Sequence, residues 1–185
     1  MNIANASFRD VIPDEAAALQ PMAARIWWDC YRGMISDVQI ARMLEAMYDP
    51  ARVAGELRAG VRWEWLLLGC APAGYLSWEL REGTLHLHKL YLEKAWHGQG
   101  LGQHMLSHVD DRARASGASR IELRVNRAND RALRAYHRAG YHRVADDVRD
   151  IGHGFVMDDH ILARDLGPTS EVAGRSGPGQ GGSGV

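Results

Sequence analysis

The stretch from Leu85 to Leu106, LHLHKLYLEKAWHGQGLGQHML, constrains the fold of this chain more than any other. It opens as a strand-like run ending in Leu90, Tyr91 and Leu92, crosses a short polar link, and enters a glycine-dense turn from His97 to Gly102. From Leu101 the apolar positions take helical spacing, with Leu101, Met105 and Val109 recurring every fourth residue. A strand feeding a glycine turn that opens a helix is a recurrent way to hold phosphate. The glycines let backbone approach the ligand, and the first helical N–H groups point outward without partners. Two phosphate loops are excluded. No Gly-Lys-Ser/Thr follows the turn, and a dinucleotide GxGxxG starting at Gly98 needs glycine where Gln103 stands.

A second pattern follows one expected strand later: Asn129, Ala132, Tyr136 and Gly140-Tyr141. Asn129 suits a helix start and Gly140 the left-handed position past its end. Ala132, Leu133 and Tyr136 then share one helical face. Alone, this is also the pattern of an amphipathic helix with Tyr136 in the core.

Taken together, the two segments resemble the GNAT superfamily of N-acetyltransferases. The family writes the first as Arg/Gln-x-x-Gly-x-Gly/Ala and the second as Asn-x-x-Ala-x-x-x-Tyr-x-x-x-Gly-Phe. Here His97 stands at the first position of the loop. The resemblance is specific over residues 85–141 and loose over the rest of 7–166. It implies acetyl-CoA as cosubstrate and direct transfer of acetyl to a primary amine of a small molecule or peptide. It also implies a mixed α/β (α+β) architecture: a mostly antiparallel sheet of about seven strands flanked by helices, with one splayed parallel pair.

Carried over by position, Leu90, Tyr91 and Leu92 offer main chain to the pantetheine arm. His97, Gly98, Gln99, Gly100, Leu101 and Gly102 cradle the pyrophosphate, with Asn129 and Tyr136 completing the cosubstrate site. A phosphate nearby favours charged histidine, so His97 is a candidate to replace the usual cation in part; otherwise it is a solvated turn residue. Tyr136 matches the family's hydrogen-bond donor to the departing sulfur. The general base stays open among His86, His88 and Glu79, since family members draw it from these strands at no fixed position. Strict alternation places His86 and His88 on one face with Leu90 and Leu92. The helical segment after the first strand borders the acceptor in the family. This makes Trp27, Tyr31, Met34 and Tyr48 candidate substrate contacts, with core packing as the alternative for the aromatic residues.

Along the chain, residues 7–12 read as a first strand. Pro13, Asp14 and Glu15 open a helix striped by Leu19, Ala23, Ile26 and Cys30, which Pro21 should kink or split. Ser36 and Gln39 form a capping-box pattern before a helix striped by Ile40, Met43, Leu44 and Met47. A short helix runs from Pro50 to Gly60. Strands are expected at 63–68, 75–80 and 84–92 as a meander, then at 119–125, 141–144 and 154–162, with a charged loop over 145–153. The helix from Leu101 makes the crossover that a parallel pair requires.

Residues 1–166 are expected to form one domain, and the glycine-rich 167–185 a flexible tail. A net charge of −1 argues against general nucleic-acid binding. Cys30 and Cys70 read as reduced, buried residues rather than a disulfide framework. The absence of a long apolar run or a leader pattern points to a soluble, cytoplasmic protein with no membrane partner. The spacings His86-x-His88 and His104-x-x-x-His108 are ligand-like, but nothing completes a four-ligand set, so no metal is expected. Asp146, Asp147, Asp150, Asp158 and Asp159 outnumber Arg143 and Arg149, and either attract a cationic amine or form a solvated acidic loop. A homodimer is left open. The alternative function is a non-catalytic acyl-CoA-binding regulatory module, which needs the glycine cradle but neither Tyr136 nor a base.

Overall fold

The computed structural model describes residues 5–167, so the expected tail lies outside the described residues apart from Gly167. Strand β1 (Ala6–Asp10) leads through a single 3-10 turn (Pro13–Glu15) into three helices: α1 (Ala16–Tyr31), α2 (Asp37–Met47) and α3 (Pro50–Arg58). The meander β2 (Arg62–Leu68), β3 (Ala71–Arg81) and β4 (Thr84–Leu92) follows. Helix α4 (Leu101–Ala115) crosses to β5 (Arg120–Asn126). Helix α5 (Asp130–Arg138) and the hairpin β6 (His142–Asp150) and β7 (Val156–Asp165) close the chain. The seven strands lie in the order β1-β2-β3-β4-β5-β7-β6, antiparallel throughout except for β4 beside β5.

Each face of the sheet carries its own apolar layer. On one, Leu85, Leu87, Ile121, Leu123 and Val125 pack against the Leu101, Met105 and Val109 stripe of α4, with α5 beside it. On the other, Trp63, Trp65 and Tyr75 pack under α1, α2 and α3 through Leu19, Ile26, Ile40 and Val53. Burial of these side chains, roughly 1.5–3 kcal/mol each, drives assembly of both layers.

Several expectations are corrected. Pro21 does not split α1, which runs unbroken from Ala16 to Tyr31. The helix loses one hydrogen bond there, and Met22, Ala23, Ile26 and Trp27 just beyond it are buried, which holds the segment together. Only half of the capping box forms: the Ser36 hydroxyl accepts from the Gln39 N–H, while the Gln39 side chain donates to the Val156 carbonyl at 3.0 Å. Strand β3 begins at Ala71, not residue 75, and Cys70 in the turn before it is exposed. The charged loop over 145–153 is mostly strand, because β6 continues to Asp150 and pairs with β7 as far as Val156.

The largest correction lies in β4. Trp78 of β3 faces Leu87, and the next residue back, Ser77, faces Lys89. His88 is therefore an extra residue, a β-bulge, and from it onward the side-chain alternation of β4 reverses. Leu85 and Leu87 face α4, and after the bulge Leu90 and Leu92 do so too, while Tyr91 joins the α1–α3 layer. His86 and His88 thus do not share a face with Leu90 and Leu92. Gly74 lies against the Tyr91 carbonyl with no room for a Cβ, which fixes the approach of β3 to this half of β4.

Candidate active site

The bulge has a consequence on the other edge of β4. Its parallel ladder with β5 joins only Thr84–Leu87 to Arg120–Leu123, although β4 runs to Leu92 and β5 to Asn126. Beyond Leu87 the strands part, leaving the β4 edge from His88 to Leu92 along a groove of about 380 Å³. Backbone donors and acceptors without ladder partners seek others, so this edge suits an extended chain bearing amides.

The groove runs to the glycine turn. Gly98 and Gly100 have φ of 74° and 82°, which only glycine adopts readily, and the turn delivers the chain into α4 with Gly100 at the N-cap. No side chain caps this helix start. The first hydrogen bond inward is from the His104 N–H to the Gly100 carbonyl at 3.0 Å, which leaves the earlier amides of α4 for an anion. A Cβ at Gly98 or Gly102 meets nothing within 4 Å, so the space beside both is open. Leu101 sends its side chain into the core and offers the site only its backbone, and Gln99 donates instead to the Ala95 carbonyl.

His97 does not serve as the cation. Its Nε2–H donates to the Leu92 carbonyl at 2.9 Å, which leaves Nδ1 to accept from the Arg131 guanidinium at 2.7 Å. That arrangement requires a neutral ring. Burial, and after it the charge of Arg131, pull its pKa below the usual histidine value, against the Leu92 hydrogen bond. The positive group at the turn is Arg131, two residues past the Asn129 cap, which the sequence reading missed. Helix α5 carries several arginines, and nothing in their spacing says which one leans over the glycine turn.

Asn129 is buried and caps α5 by accepting from the Ala132 N–H at 3.1 Å. Its amide also lies 3.6 Å from the Cys30 thiol, tying α1 to α5 across the groove. Burial raises the Cys30 pKa, so the thiol stays protonated at neutral pH. Tyr136 lines the same groove, its ring edge-on to Tyr141 at 5.7 Å. Its hydroxyl has no hydrogen-bond partner among the described residues, and burial, with a smaller contribution from Cys30, raises its pKa. It is a phenol kept protonated and free to donate.

On the opposite face of the sheet, a cavity of about 490 Å³ lies between β4, β5 and the α1–α2 helices. Glu79, His86 and His88 all border it. His88 Nε2 lies 2.7 Å from Glu79 Oε1, an oxygen shared with Arg81 at 2.7 Å, and His86 stands beside Glu122 in the parallel register. Burial is the main cause holding both imidazoles below the ordinary histidine pKa, so both are neutral near pH 7 and able to accept a proton.

Of the expected acceptor contacts, Trp27 and Tyr31 border this cavity. Tyr48 is fully buried beneath it, where its hydroxyl joins Trp27 Nε1 at 3.0 Å and the Tyr75 hydroxyl at 2.7 Å. Met34 lies on the surface and borders neither hollow. The acidic residues of the last hairpin are largely paired. Asp146 meets Arg127, Arg143 and His160, Asp147 meets Arg124 and Arg149, and Asp158 meets Arg127. Sequence reasoning weighed only Arg143 and Arg149, because Arg124 and Arg127 arrive from β5. Asp159 is buried and borders the cavity, its pKa raised chiefly by burial.

His104 and His108 do not act as a ligand pair. Both rings lie against Phe8, and His108 hydrogen-bonds to the buried Glu64. No cluster of metal-ligating side chains occurs among the described residues, and no helix among them is long and apolar enough to cross a membrane.

The model of the Acetyltransferase (GNAT) family matches residues 20–141. No curated protein matches the chain in sequence. Among solved structures, the PaiA N-acetyltransferase of Thermoplasma acidophilum in complex with coenzyme A superposes with a TM-score of 0.71 at 16% identity, over 87% of this chain and 99% of that one. A GCN5-related N-acetyltransferase from Rhodopseudomonas palustris gives 0.74 at 19% identity, over 90% and 99%. The ribosomal-protein-S18-alanine N-acetyltransferase of Escherichia coli gives 0.68 at 14% identity, over 90% and 97%.

Proposed function

The chain belongs to the GNAT acetyltransferase family, and from that premise we propose that it transfers acetyl from acetyl-CoA directly to a primary amine of a small molecule or peptide. One observation carries the reading: the bulge at His88 opens β4 from β5, with the glycine turn and Tyr136 on one face of the opening and Glu79, His86 and His88 on the other. The gap is where a thioester and an amine arriving from opposite faces can meet.

The residues fit the cosubstrate. Free amides at the start of α4 and the Arg131 guanidinium suit a diphosphate, and the unpaired β4 edge suits the amide-bearing pantetheine arm. Bound acetyl-CoA supplies an activated acetyl group, and the protein supplies placement and proton handling. An alkyl amine with pKa near 10.4 is protonated at neutral pH, and freeing its lone pair costs about 4–5 kcal/mol at pH 7. Neutral His88, oriented by Glu79, or His86 takes that proton, directly or through water. Tyr136 donates to the departing sulfur. A phenol near 10 is a weaker acid than a thiol near 8.5, so full transfer to a thiolate runs uphill by about 2 kcal/mol, and burial of Tyr136 widens the difference. Its role is therefore hydrogen-bond donation, with the proton following as the sulfur leaves.

Thiol release from acetyl-CoA against a panel of amines, beside calorimetry with CoA, tests the assignment. Tyr136→Phe is expected to lower kcat about a hundredfold at saturating substrates. An unchanged kcat removes Tyr136 from the chemistry, and CoA binding without thiol release from any amine supports the non-catalytic alternative.

A further inference from the structure

Lys89 is placed by the bulge. Without the extra residue at His88, alternation sends position 89 toward α4. With it, Lys89 points into the α1–α3 layer, where its ammonium lies 4.9 Å from the centre of the Trp63 ring and 5.6 Å from that of Tyr48. No carboxylate stands within 4.0 Å of it among the described residues. Glu56, whose charge most favours the ammonium there, is already engaged: Oε1 accepts from Arg52 and Oε2 from Trp63 Nε1, each at 3.1 Å. The other cations on the cavity wall all have partners. Arg52 pairs with Glu56, Arg81 with Glu79, and Arg124 and Arg149 with Asp147. Lys89 is left as a half-buried positive charge held only by ring faces, and burial lowers its pKa. Ring faces offset part of the lost hydration and leave the three N–H donors without an acceptor among the described residues.

Of the other carboxylates on the cavity wall, Glu79 of β3 is engaged by Arg81 and His88, while Glu122 and Asp159 lie on the far side of β4. Glu122 belongs to β5 and Asp159 to β7, while the Lys89 ammonium reaches back across β3 toward β2. In a sheet ordered β2-β3-β4-β5-β7, β5 lies two strand spacings from β3, about 10 Å, and β7 lies three, about 14 Å. Tyr31, Met43 and Met47 add apolar surface to the same cavity, beside His86 and His88 of β4. A simple alkylamine leaves Lys89 uncompensated, and a polyamine sets a second cation against it.

Resting on the acetyltransferase reading above, we infer that the acceptor is an amino carboxylic acid with its amine and carboxylate several bonds apart, as in an ω-amino acid or a dipeptide, and that Lys89 binds the carboxylate. The amine end sits at the β4–β5 gap near Glu122 and Asp159, and the carboxylate end accepts hydrogen bonds from the Lys89 ammonium over Trp63. Lys89 is thus a specificity-determining residue of the acceptor site.

The test compares kcat/KM for ε-aminocaproate and alanylleucine with the values for their carboxamides. The acids are expected to be favoured at least about tenfold, through KM, the scale of one charge-assisted hydrogen bond. In Lys89→Met that ratio falls to near one, and in Lys89→Arg it is retained. Equal use of acid and amide by the native enzyme overturns the inference without any variant, and so does a preference that survives Lys89→Met. CoA binding with thiol release from alkylamines but not from the acids overturns it and leaves the acetyltransferase reading standing. No heat with CoA and no thiol release from any amine overturns both.

Discussion

Glu64 and Lys89 are two charges placed on opposite faces of one sheet, and their surroundings differ completely. Glu64 faces α4 and is fully buried, yet its oxygens accept from Trp78 Nε1 at 2.8 Å, His108 Nε2 at 2.7 Å and Arg112 at 3.1 Å. Burial alone raises a carboxyl pKa, but these donors outweigh it and hold Glu64 at about 2. Lys89 rests over Trp63, the residue just before Glu64, and meets only ring faces. A buried charge completed by its own chain belongs to the fold. One left incomplete beside a cavity points to what enters the cavity.

Removing each charge sharpens this contrast. Glu64→Ala should cost the most, about 3–5 kcal/mol in urea unfolding, because it strands His108 and Arg112 against the buried interior. Acid titration of the native protein comes next. The folded pKa of Glu64 lies below its ordinary 4.5, so its stabilisation is fully present above 4.5 and is lost as pH falls through about 2. The loss amounts to at most about 3 kcal/mol, and Glu64→Gln should flatten that part of the stability profile. The smallest effect is expected for Lys89→Met, within about 1 kcal/mol of native stability, since the lost ring contacts are offset by relief of an unpaired ammonium. If Lys89→Met destabilises as much as Glu64→Ala, the contrast fails and Lys89 is part of the fold.

The cosubstrate half of the candidate site was more legible in the sequence than the acceptor half. A glycine turn between a strand and a helix must take local φ values that few other sequences permit, so Gly98, Gly100 and the start of α4 follow from near neighbours alone. Asn129 and Tyr136 are similarly local, a cap and a helical face. His97 was misread because its state depends on Arg131, which arrives from another helix and turns the imidazole into an acceptor. The wall of the candidate acceptor cavity joins residues from α1 to α3 and from β3 to β7, and only Trp27 and Tyr31 of the four named residues border it. Aromatic residues near a helix end signal burial in either role, so Tyr48 beneath the cavity and Met34 outside it looked alike.

The sequence by itself determined the element order, the crossover that makes β4 and β5 parallel, and the phosphate-suited turn, because periodicity, caps and glycine conformations act over a few residues. Tertiary structure alone decided which face each residue of β4 presents after His88. The extra residue is visible only against β3, where pairing leaves it without an opposite partner. That single offset parts β4 from β5 and turns Lys89 toward Trp63, setting both the opening and the charge beside it.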